Sequence, residues 1–216
     1  MATWLTHLRI AEKIKEKIKD IDLDYFMAGS IAPDSGKPDK TNKQYEPSEE
    51  ITHFCRGKDD DKYIDLKDFY NKHLRPEDLF IRSDKTRSFY WGYYFHLVGD
   101  SLWNEKYFKP MKKEYNGECD FAYLIREEMY ALDFEYLEKN PQNNIFSQFQ
   151  TMEIRVEFFT EFSPELIYEN IEKIKNYYDK ESFKLNREYK LINAEDIEKF
   201  IDITVEKSIE AFYPGV

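Results

Sequence analysis

The sequence predicts an all-α protein, a compact bundle of several helices. Apolar residues recur at helical spacing along most of the chain, whereas only one short stretch alternates in the manner of a strand. The 216 residues include only seven glycines and eight prolines, so few turn-forming residues interrupt these segments. Aromatic residues make up 17% of the chain, and they supply large side chains for an extensive core.

The first predicted helix covers residues 4–19 and carries one continuous apolar stripe, with lysines and glutamates on the opposite face. A short segment, Leu23 to Ile31, leads into a predicted turn at 32–36. The polar residues 35–49 contain two prolines and predict the clearest loop, and a second loop is predicted at Gly57–Lys62. The stripe of the first helix consists of His7, Ile10, Ala11, Ile14, Ile18 and Ile21.

Further helices are predicted after the second loop. Ser163 followed by Pro164 is typical of a helix start, because serine caps the first turn and proline fits the first helical position. Residues 152–159 alternate apolar and charged side chains, but no partner strand is evident, so we predict a helix there. The other helices are predicted at 64–74, 84–108, 118–139, 164–180 and from Asn193 onwards.

Composition excludes several classes of protein. The chain has 43 acidic and 32 basic residues, and its net charge of −11 argues against binding nucleic acid or anionic membranes by bulk charge. No apolar run is long enough to cross a bilayer, and no apolar leader precedes the first helix, so we expect a cytoplasmic protein without stable membrane association. Cys55 and Cys119 are too few for a disulfide framework.

No linker or internal repeat divides the chain. We therefore expect a single helical domain over residues 1–216, in which the helices of 141–216 cover the core. The residues that carry candidate chemistry lie within residues 1–108, and the later part shows no motif of its own.

His96 and Asp100 form the first candidate pair. They are four residues apart, so the imidazole and the carboxylate lie on one face of the predicted helix, where they could hold a metal ion. Gly92 and Gly99 share that face, and glycine weakens a helix, which indicates close approach of a neighbouring segment. The alternative is a buried hydrogen bond between His96 and Asp100 in an aromatic core.

The remaining candidate ligands are less specific. His7 heads the apolar stripe, which is also typical of a core histidine, and His53 lies between two loops, where it could point into a cleft. Asp34 lies in the turn after Pro33, where an aspartate often caps its own backbone. His73, near the end of a predicted helix, is interpreted as a surface residue.

Four short segments, taken together and in their order along the chain, indicate a protein family more specifically than any one of them does. The set resembles the zinc-dependent phospholipase C-like family, whose relatives include secreted bacterial phospholipases C and nucleases of the P1 type. The resemblance covers about the first half of the chain. The segments are Thr-Trp-Leu-Thr-His at 3–7, Met-Ala-Gly-Ser-Ile-Ala-Pro-Asp at 27–34, Ile-Thr-His-Phe at 51–54 and Gly-Tyr-Tyr-Phe-His-Leu-Val-Gly-Asp at 92–100.

The resemblance implies an all-α bundle built around zinc ions. By this resemblance Asp34, His53, His96 and Asp100 would hold one ion, and His7 with a shared Asp100 would hold a second. The ions would activate water to cleave a phosphodiester or phosphomonoester, and we expect a soluble, small-molecule phosphoester as the substrate. The ligand types suit zinc and are also compatible with iron or manganese.

The chain departs from the family pattern at two points, and these departures motivate a second hypothesis. The secreted relatives use the amino group of a terminal tryptophan as a ligand, whereas Trp4 here follows three other residues, and no histidine follows His96. Glu127, Glu128 or Asp133 could supply further oxygen ligands, although a solvated helix face explains them more simply. The second hypothesis is a non-catalytic helical binding protein with a reduced or absent metal site.

Overall fold

A computed structural model describes residues 1–39, 45–58, 61–142, 144–178 and 188–213, and its architecture confirms the all-α class. A 3-10 turn, Ala32–Ser35, follows the second helix, and a π-helical turn, Asn104–Phe108, joins the sixth helix to the seventh. The α-helices are α1 (Trp4–Lys17), α2 (Leu23–Ile31), α3 (Glu49–Thr52), α4 (Leu66–His73), α5 (Pro76–Ile81), α6 (Asp84–Trp103), α7 (Lys109–Glu114), α8 (Phe121–Lys139), α9 (Asn144–Thr151), α10 (Pro164–Tyr178) and α11 (Ala194–Phe212).

Two short antiparallel hairpins accompany the helices. Strand β1 (Lys37–Pro38) pairs with β2 (Tyr45–Glu46), and Lys37 lies opposite Glu46. Strand β3 (Cys55–Arg56) pairs with β4 (Tyr63–Ile64), and Cys55 lies opposite Ile64. The first hairpin lies in the predicted loop at 35–49, of which residues 40–44 are outside the described ranges, and the second encloses the predicted loop at 57–62.

Helix α1 forms as the apolar stripe predicts. The hydroxyl of Thr3 caps its first turn by accepting the backbone N–H of Thr6, and the helix ends at Lys17. Every member of the stripe is buried, from His7 to Ile21, which lies beyond the helix end. His7 is therefore brought into the core by the same spacing that buries the isoleucines.

Helices α2 and α6 pack against each other at backbone distance. An ideal Cβ atom at Gly29 would lie 2.0 Å from the carbonyl oxygen of Phe89, and one at Gly92 would lie 2.1 Å from that of Phe26. Only glycine fits at both positions, which confirms the close approach predicted from Gly92. At Gly99 a Cβ atom would meet the His7 ring at 3.4 Å, so this glycine makes room for a candidate ligand.

The later helices complete the core around α1, α2 and α6. Helix α11 begins with a capping box between Asn193 and Asp196, and its Phe200 packs edge-on against Trp103. The side-chain amide of Asn170, on α10, donates a hydrogen bond of 3.3 Å to the carbonyl of Ile31 at the end of α2. The C-terminal helices thus fix the part of the fold that carries Asp34.

The predicted helix at 152–159 is wrong, because this segment is irregular. Its backbone groups find partners outside any ladder: Val156 N–H donates to the Tyr168 hydroxyl at 2.9 Å, and the carbonyl of Met152 accepts from Lys175. Met152 and Val156 are buried, as is Phe159. The alternation therefore reflects an irregular segment whose apolar side chains are buried or half-buried and whose charged side chains are exposed.

Two other boundaries differ from the sequence prediction. The long helix predicted at 84–108 is α-helical only to Trp103, after which the π-helical turn inserts one residue. The predicted helix at 164–180 is described to Tyr178, and residues 179–180 lie outside the described ranges. No helix in the described part of the chain is both long and apolar enough to span a bilayer.

Candidate metal centre

The structure brings all five predicted ligands together in one buried cluster. Their side chains are no more than 8% exposed. They come from α1, from the 3-10 turn after α2, from the end of α3 and from α6. The cluster consists of His7, Asp34, His53, His96 and Asp100.

Four of these residues place one atom each at the centre of the cluster. Asp34, His53 and His96 form one group of three that could hold an ion, and His7, His96 and Asp100 form a second. His96 Nε2 lies 3.3 Å from Asp100 Oδ2, 3.4 Å from His53 Nε2 and 4.0 Å from Asp34 Oδ1. His53 Nε2 in turn lies 3.4 Å from Asp34 Oδ1 and 3.6 Å from Asp100 Oδ2. Ligands about 2.0–2.2 Å from a tetrahedral zinc ion are separated from each other by about 3.3–3.6 Å. Most of the observed separations fall in that range.

The atoms that face this centre lack other partners. Asp34 Oδ1 and Asp100 Oδ2 are buried without a hydrogen bond to any residue in the described part of the chain, and so is His7 Nε2. Leaving a buried carboxylate oxygen unsatisfied is costly, and a cation removes that cost. The donor set therefore fits a divalent metal ion.

His7 forms the second side of the cluster. Its ring stacks on His96 with 3.8 Å between centroids, and its Nε2 atom lies 3.3 Å from Asp100 Oδ1. The same Oδ1 atom accepts the backbone N–H of Ala2 at 2.8 Å. Asp100 thus directs one oxygen toward His53 and His96 and the other toward His7, as the shared role requires.

Second partners orient two of the imidazoles. The Nδ1 atom of His96 lies 2.7 Å from the carbonyl of Ser30, to which it donates, so in the neutral ring the lone pair lies on Nε2. The Nδ1 atom of His53 lies 2.9 Å from Thr52 Oγ1, and Tyr93 donates its hydroxyl proton to the Thr52 carbonyl. Partners of this kind fix the tautomer that binds metal.

The backbone after His53 adopts an uncommon conformation. Phe54 has a φ of 53°, which is rare for a residue with a side chain. Packing holds it there, because its ring lies edge-on against Phe69 at 5.1 Å and its carbonyl accepts the N–H of Asp65 at 3.0 Å. The bend separates α3 from β3 and leaves His53 directed at the cluster, a local strain typical of functional sites.

The electrostatics keep the carboxylates ionised. Burial alone would raise the pKa of Asp34 and of Asp100, but the neighbouring groups, with the His96 imidazole foremost among them, together outweigh burial and lower both pKa values. Burial lowers the pKa of His96, but Asp100 and Asp34 outweigh it and the net pKa is raised. Burial, with His96 beside it, lowers the pKa of His7 and favours the neutral ring that binds metal.

The cluster lies at the floor of an open cleft. The larger part of the cleft, about 700 Å³, reaches His53 and Asp100, and a neighbouring part of about 350 Å³ reaches Asp34 and His53. Trp4, Tyr130 and apolar residues line the smaller part. The cleft therefore leads from solvent to residues of the cluster from two sides.

The acidic residues of α8 lie outside the cluster, and the interpretation of a solvated face is wrong for two of them. Glu128 is buried and accepts backbone N–H groups from Lys190, Leu191 and Ile192. Asp133 is also buried and accepts the hydroxyls of Thr3 and Tyr178 at 2.9 and 2.6 Å. Glu127, on the same helix, is partly exposed.

His73 was predicted at the surface, and this is also wrong. It is 5% exposed, its ring stacks on Tyr90, and its Nε2 atom lies 3.2 Å from Glu161 Oε1. Glu161 lies in the irregular segment before α10, so no local pattern near His73 indicated it. Cys55 and Cys119 are free thiols, of which Cys55 is buried.

Comparisons of the chain with family models, with curated proteins and with solved structures give no match. The resemblance to the phospholipase C-like family therefore stays a prediction. The fold and the site together define a class of protein. It is an all-α protein with a candidate metal centre of three histidines and two aspartates beneath an open cleft.

Proposed function

We propose that this protein is a metal-dependent phosphoester hydrolase, with zinc as the ion. One observation carries the proposal: buried ligand atoms that have no hydrogen-bond partner in the described residues converge at the floor of a cleft open to solvent. A structural metal site has no need of such access, whereas a catalytic site keeps a position open for water or substrate.

Four residues would hold the principal ion, namely Asp34, His53, His96 and Asp100 through Oδ2. Asp100 Oδ1 and His7 would contribute to a second position. A divalent ion bound here supplies Lewis-acid chemistry, which activates water and neutralises charge on phosphoryl oxygens. Imidazole and carboxylate ligands suit zinc and also iron or manganese.

The chain itself prepares the site before any ligand enters. The Ser30 carbonyl and the Thr52 hydroxyl hold the two imidazoles with Nε2 toward the centre. The Ala2 N–H holds Asp100 Oδ1, so the carboxylate cannot rotate freely between its two sides. The walls bury the cluster while the cleft admits substrate, which strengthens electrostatic interactions with a bound phosphoryl group.

Metal content tests the first part of the proposal. Elemental analysis by plasma mass spectrometry should find near-stoichiometric zinc, iron or manganese in the wild-type protein and its loss in His96→Ala. His73→Ala is the matched control, because His73 is buried beside a single carboxylate, Glu161, away from the cluster, and this variant should retain metal. Stoichiometric metal in His96→Ala, or none in reconstituted wild-type protein, would contradict the metal site.

Turnover tests the second part. The metal-loaded protein should hydrolyse bis(p-nitrophenyl) phosphate, a chelator should abolish this activity, and added zinc should restore it. The His73→Ala variant should keep the activity and His96→Ala should lose it. Metal at full stoichiometry without hydrolysis of any phosphoester would instead favour the non-catalytic binding protein.

A further inference from the structure

We infer that the substrate carries a second anionic group, which lysines of α7 bind along the wall of the larger cleft. This inference rests on the proposed function, because it assigns the remainder of a phosphoester whose scissile phosphate lies at the His–Asp cluster. The protein as a whole has a net charge of −11, so a local concentration of lysines beside the candidate site runs against its overall charge.

Lysines dominate the charged lining of the larger cleft. Lys109, Lys112 and Lys113 line it from α7, together with His53 and Asp100 at its floor. Lys62 also lines it, but its ammonium group is paired with the carboxylate of Glu49. Among the described residues, Glu105 is the other carboxylate in the lining outside the cluster. The α7 lysines therefore give this wall a positive potential.

The π-helical turn explains why these lysines face the cleft. In an uninterrupted α-helix the face of Asp100 would continue through positions 104, 107 and 111, which include Tyr107 and Met111. The extra residue of the π turn shifts this face, so the lining residues occur in pairs four apart. These pairs are 100 and 101, 104 and 105, 108 and 109, and 112 and 113.

The shift turns Tyr107 and Met111 away from the cleft and turns the α7 lysines toward it. Tyr107 stacks on Trp103 at 5.2 Å, and Met111 packs against the core. Lys109 and Lys112 lie about 14 and 18 Å beyond Asp100 along the helix axis, from a rise of about 1.5 Å per residue. Helical side chains lean toward the N-terminal end, which brings these ammonium groups closer to the cluster.

The chemistry of the wall selects the kind of group it binds. Ammonium groups on flexible stems act as point charges that bind phosphate or carboxylate without a strict orientation. A substrate with a neutral remainder gains nothing from them. We therefore expect small phosphoesters with a further phosphate or carboxylate to bind more tightly than those with one phosphate.

A pair of sugar phosphates tests the inference directly. Glucose 6-phosphate and glucose 1,6-bisphosphate differ by a single phosphate, and their affinities for the zinc-loaded protein can be measured by isothermal titration calorimetry at constant ionic strength. The wild-type protein should bind the bisphosphate about tenfold more tightly, as expected for two partly exposed charge contacts. In Lys112→Gln/Lys113→Gln this advantage should fall to about twofold or less.

A control variant removes the same charge elsewhere. Lys67 and Lys106 are exposed and lie outside the cleft lining, so Lys67→Gln/Lys106→Gln should keep the tenfold preference. Equal affinities of the wild-type protein for the two sugars would overturn the inference, and so would a preference that survives in Lys112→Gln/Lys113→Gln. A preference that depends on α7 in a protein without hydrolytic activity would refute the proposed function but keep the anion site.

Discussion

The described part of the chain contains two pairs of buried acidic residues, and their carboxylate oxygens have opposite kinds of surroundings. Glu128 and Asp133, on α8, direct their oxygens at backbone N–H groups and hydroxyls of the protein. Asp34 and Asp100 each leave one buried oxygen without a hydrogen-bond partner in the described residues. Burial alone therefore does not distinguish a structural carboxylate from a candidate ligand, whereas the state of its oxygens does.

The pKa of Asp133 differs from those of Asp34 and Asp100 for the same reason. Burial raises the pKa of Asp133 to about 7, because its partners are neutral hydroxyls that only partly offset the loss of water. Burial also acts on Asp34 and Asp100, but the neighbouring groups, foremost the imidazole of His96, together outweigh it and lower their pKa values. Glu128 and Asp133 thus find their partners within the protein, whereas Asp34 and Asp100 are candidates for binding a cation.

The largest expected effect separates the two pairs by their response to zinc. If zinc is present at about a thousand times its dissociation constant, the free energy of unfolding should rise by about 4 kcal/mol. Asp34→Asn should lose most of this gain, whereas Asp133→Asn should keep it. Urea unfolding with zinc and with a chelator measures both values, and equal gains in the two variants would remove the distinction.

Glu128→Gln should have the next largest effect. The carboxylate accepts three backbone N–H groups just before α11, two of them at 2.9 Å, and bonds to a charged acceptor are stronger than those to an amide. We expect a loss of about 2 kcal/mol in the free energy of unfolding, with the zinc-dependent gain unchanged. A variant that also loses the zinc gain would show that Glu128 acts on the metal site.

The Asp133 carboxyl group should give the protein a pH dependence of known sign. Its folded pKa of about 7 exceeds the unfolded value, so the folded state binds more protons between about pH 4 and pH 7 and its stability falls as the pH rises. Relative to Asp133→Asn, the metal-free wild type should lose about 1.5 kcal/mol between about pH 5.5 and pH 7. Parallel stability curves for the two proteins would contradict the raised pKa.

His73 should produce a smaller effect of opposite sign. Burial lowers its pKa to about 4, against the nearby Glu161 carboxylate, so the unfolded state binds more protons between about pH 4 and pH 6.5. Acidification from about pH 6.5 to about pH 5.5 should therefore destabilise the wild type by about 1 kcal/mol more than His73→Gln. The stabilities are measured by urea unfolding in the presence of a chelator, so that metal binding and its proton release do not contribute to the pH dependence. A variant that remains equally acid-sensitive would assign the effect to another group.

The candidate ligands could be predicted because their signals are local. His96 and Asp100 share a helix face at a spacing of four, His7 lies on the stripe that enters the core, and Asp34 follows directly on α2. Each of these residues taken alone also allowed a structural role. The order of the four segments along the chain is what grouped them as candidate ligands of one site. The all-α class followed from periodicity over long segments, which is the most reliable signal in a sequence.

The predictions that were wrong concern residues whose partners lie far away in the sequence. Glu128 lies 62 residues from Lys190, and Tyr178 lies 45 residues from Asp133, so nothing near the α8 carboxylates shows that they are buried. The partner of His73 lies in an irregular segment without a periodic pattern. The π-helical turn has no sequence signature of its own, and the lysine wall of the cleft depends on it.

The glycine contact between α2 and α6 has a consequence for the choice of ion. Asp34 follows α2, and His96 and Asp100 lie on α6, so backbone contact rather than adaptable side chains determines how far these ligands can separate. A calcium ion needs six to eight oxygen ligands at about 2.3–2.6 Å, and helices held at this distance cannot open to provide them. Gly29 and Gly92, which contribute no ligand atom, would therefore restrict a metal ion bound at this centre to a small one.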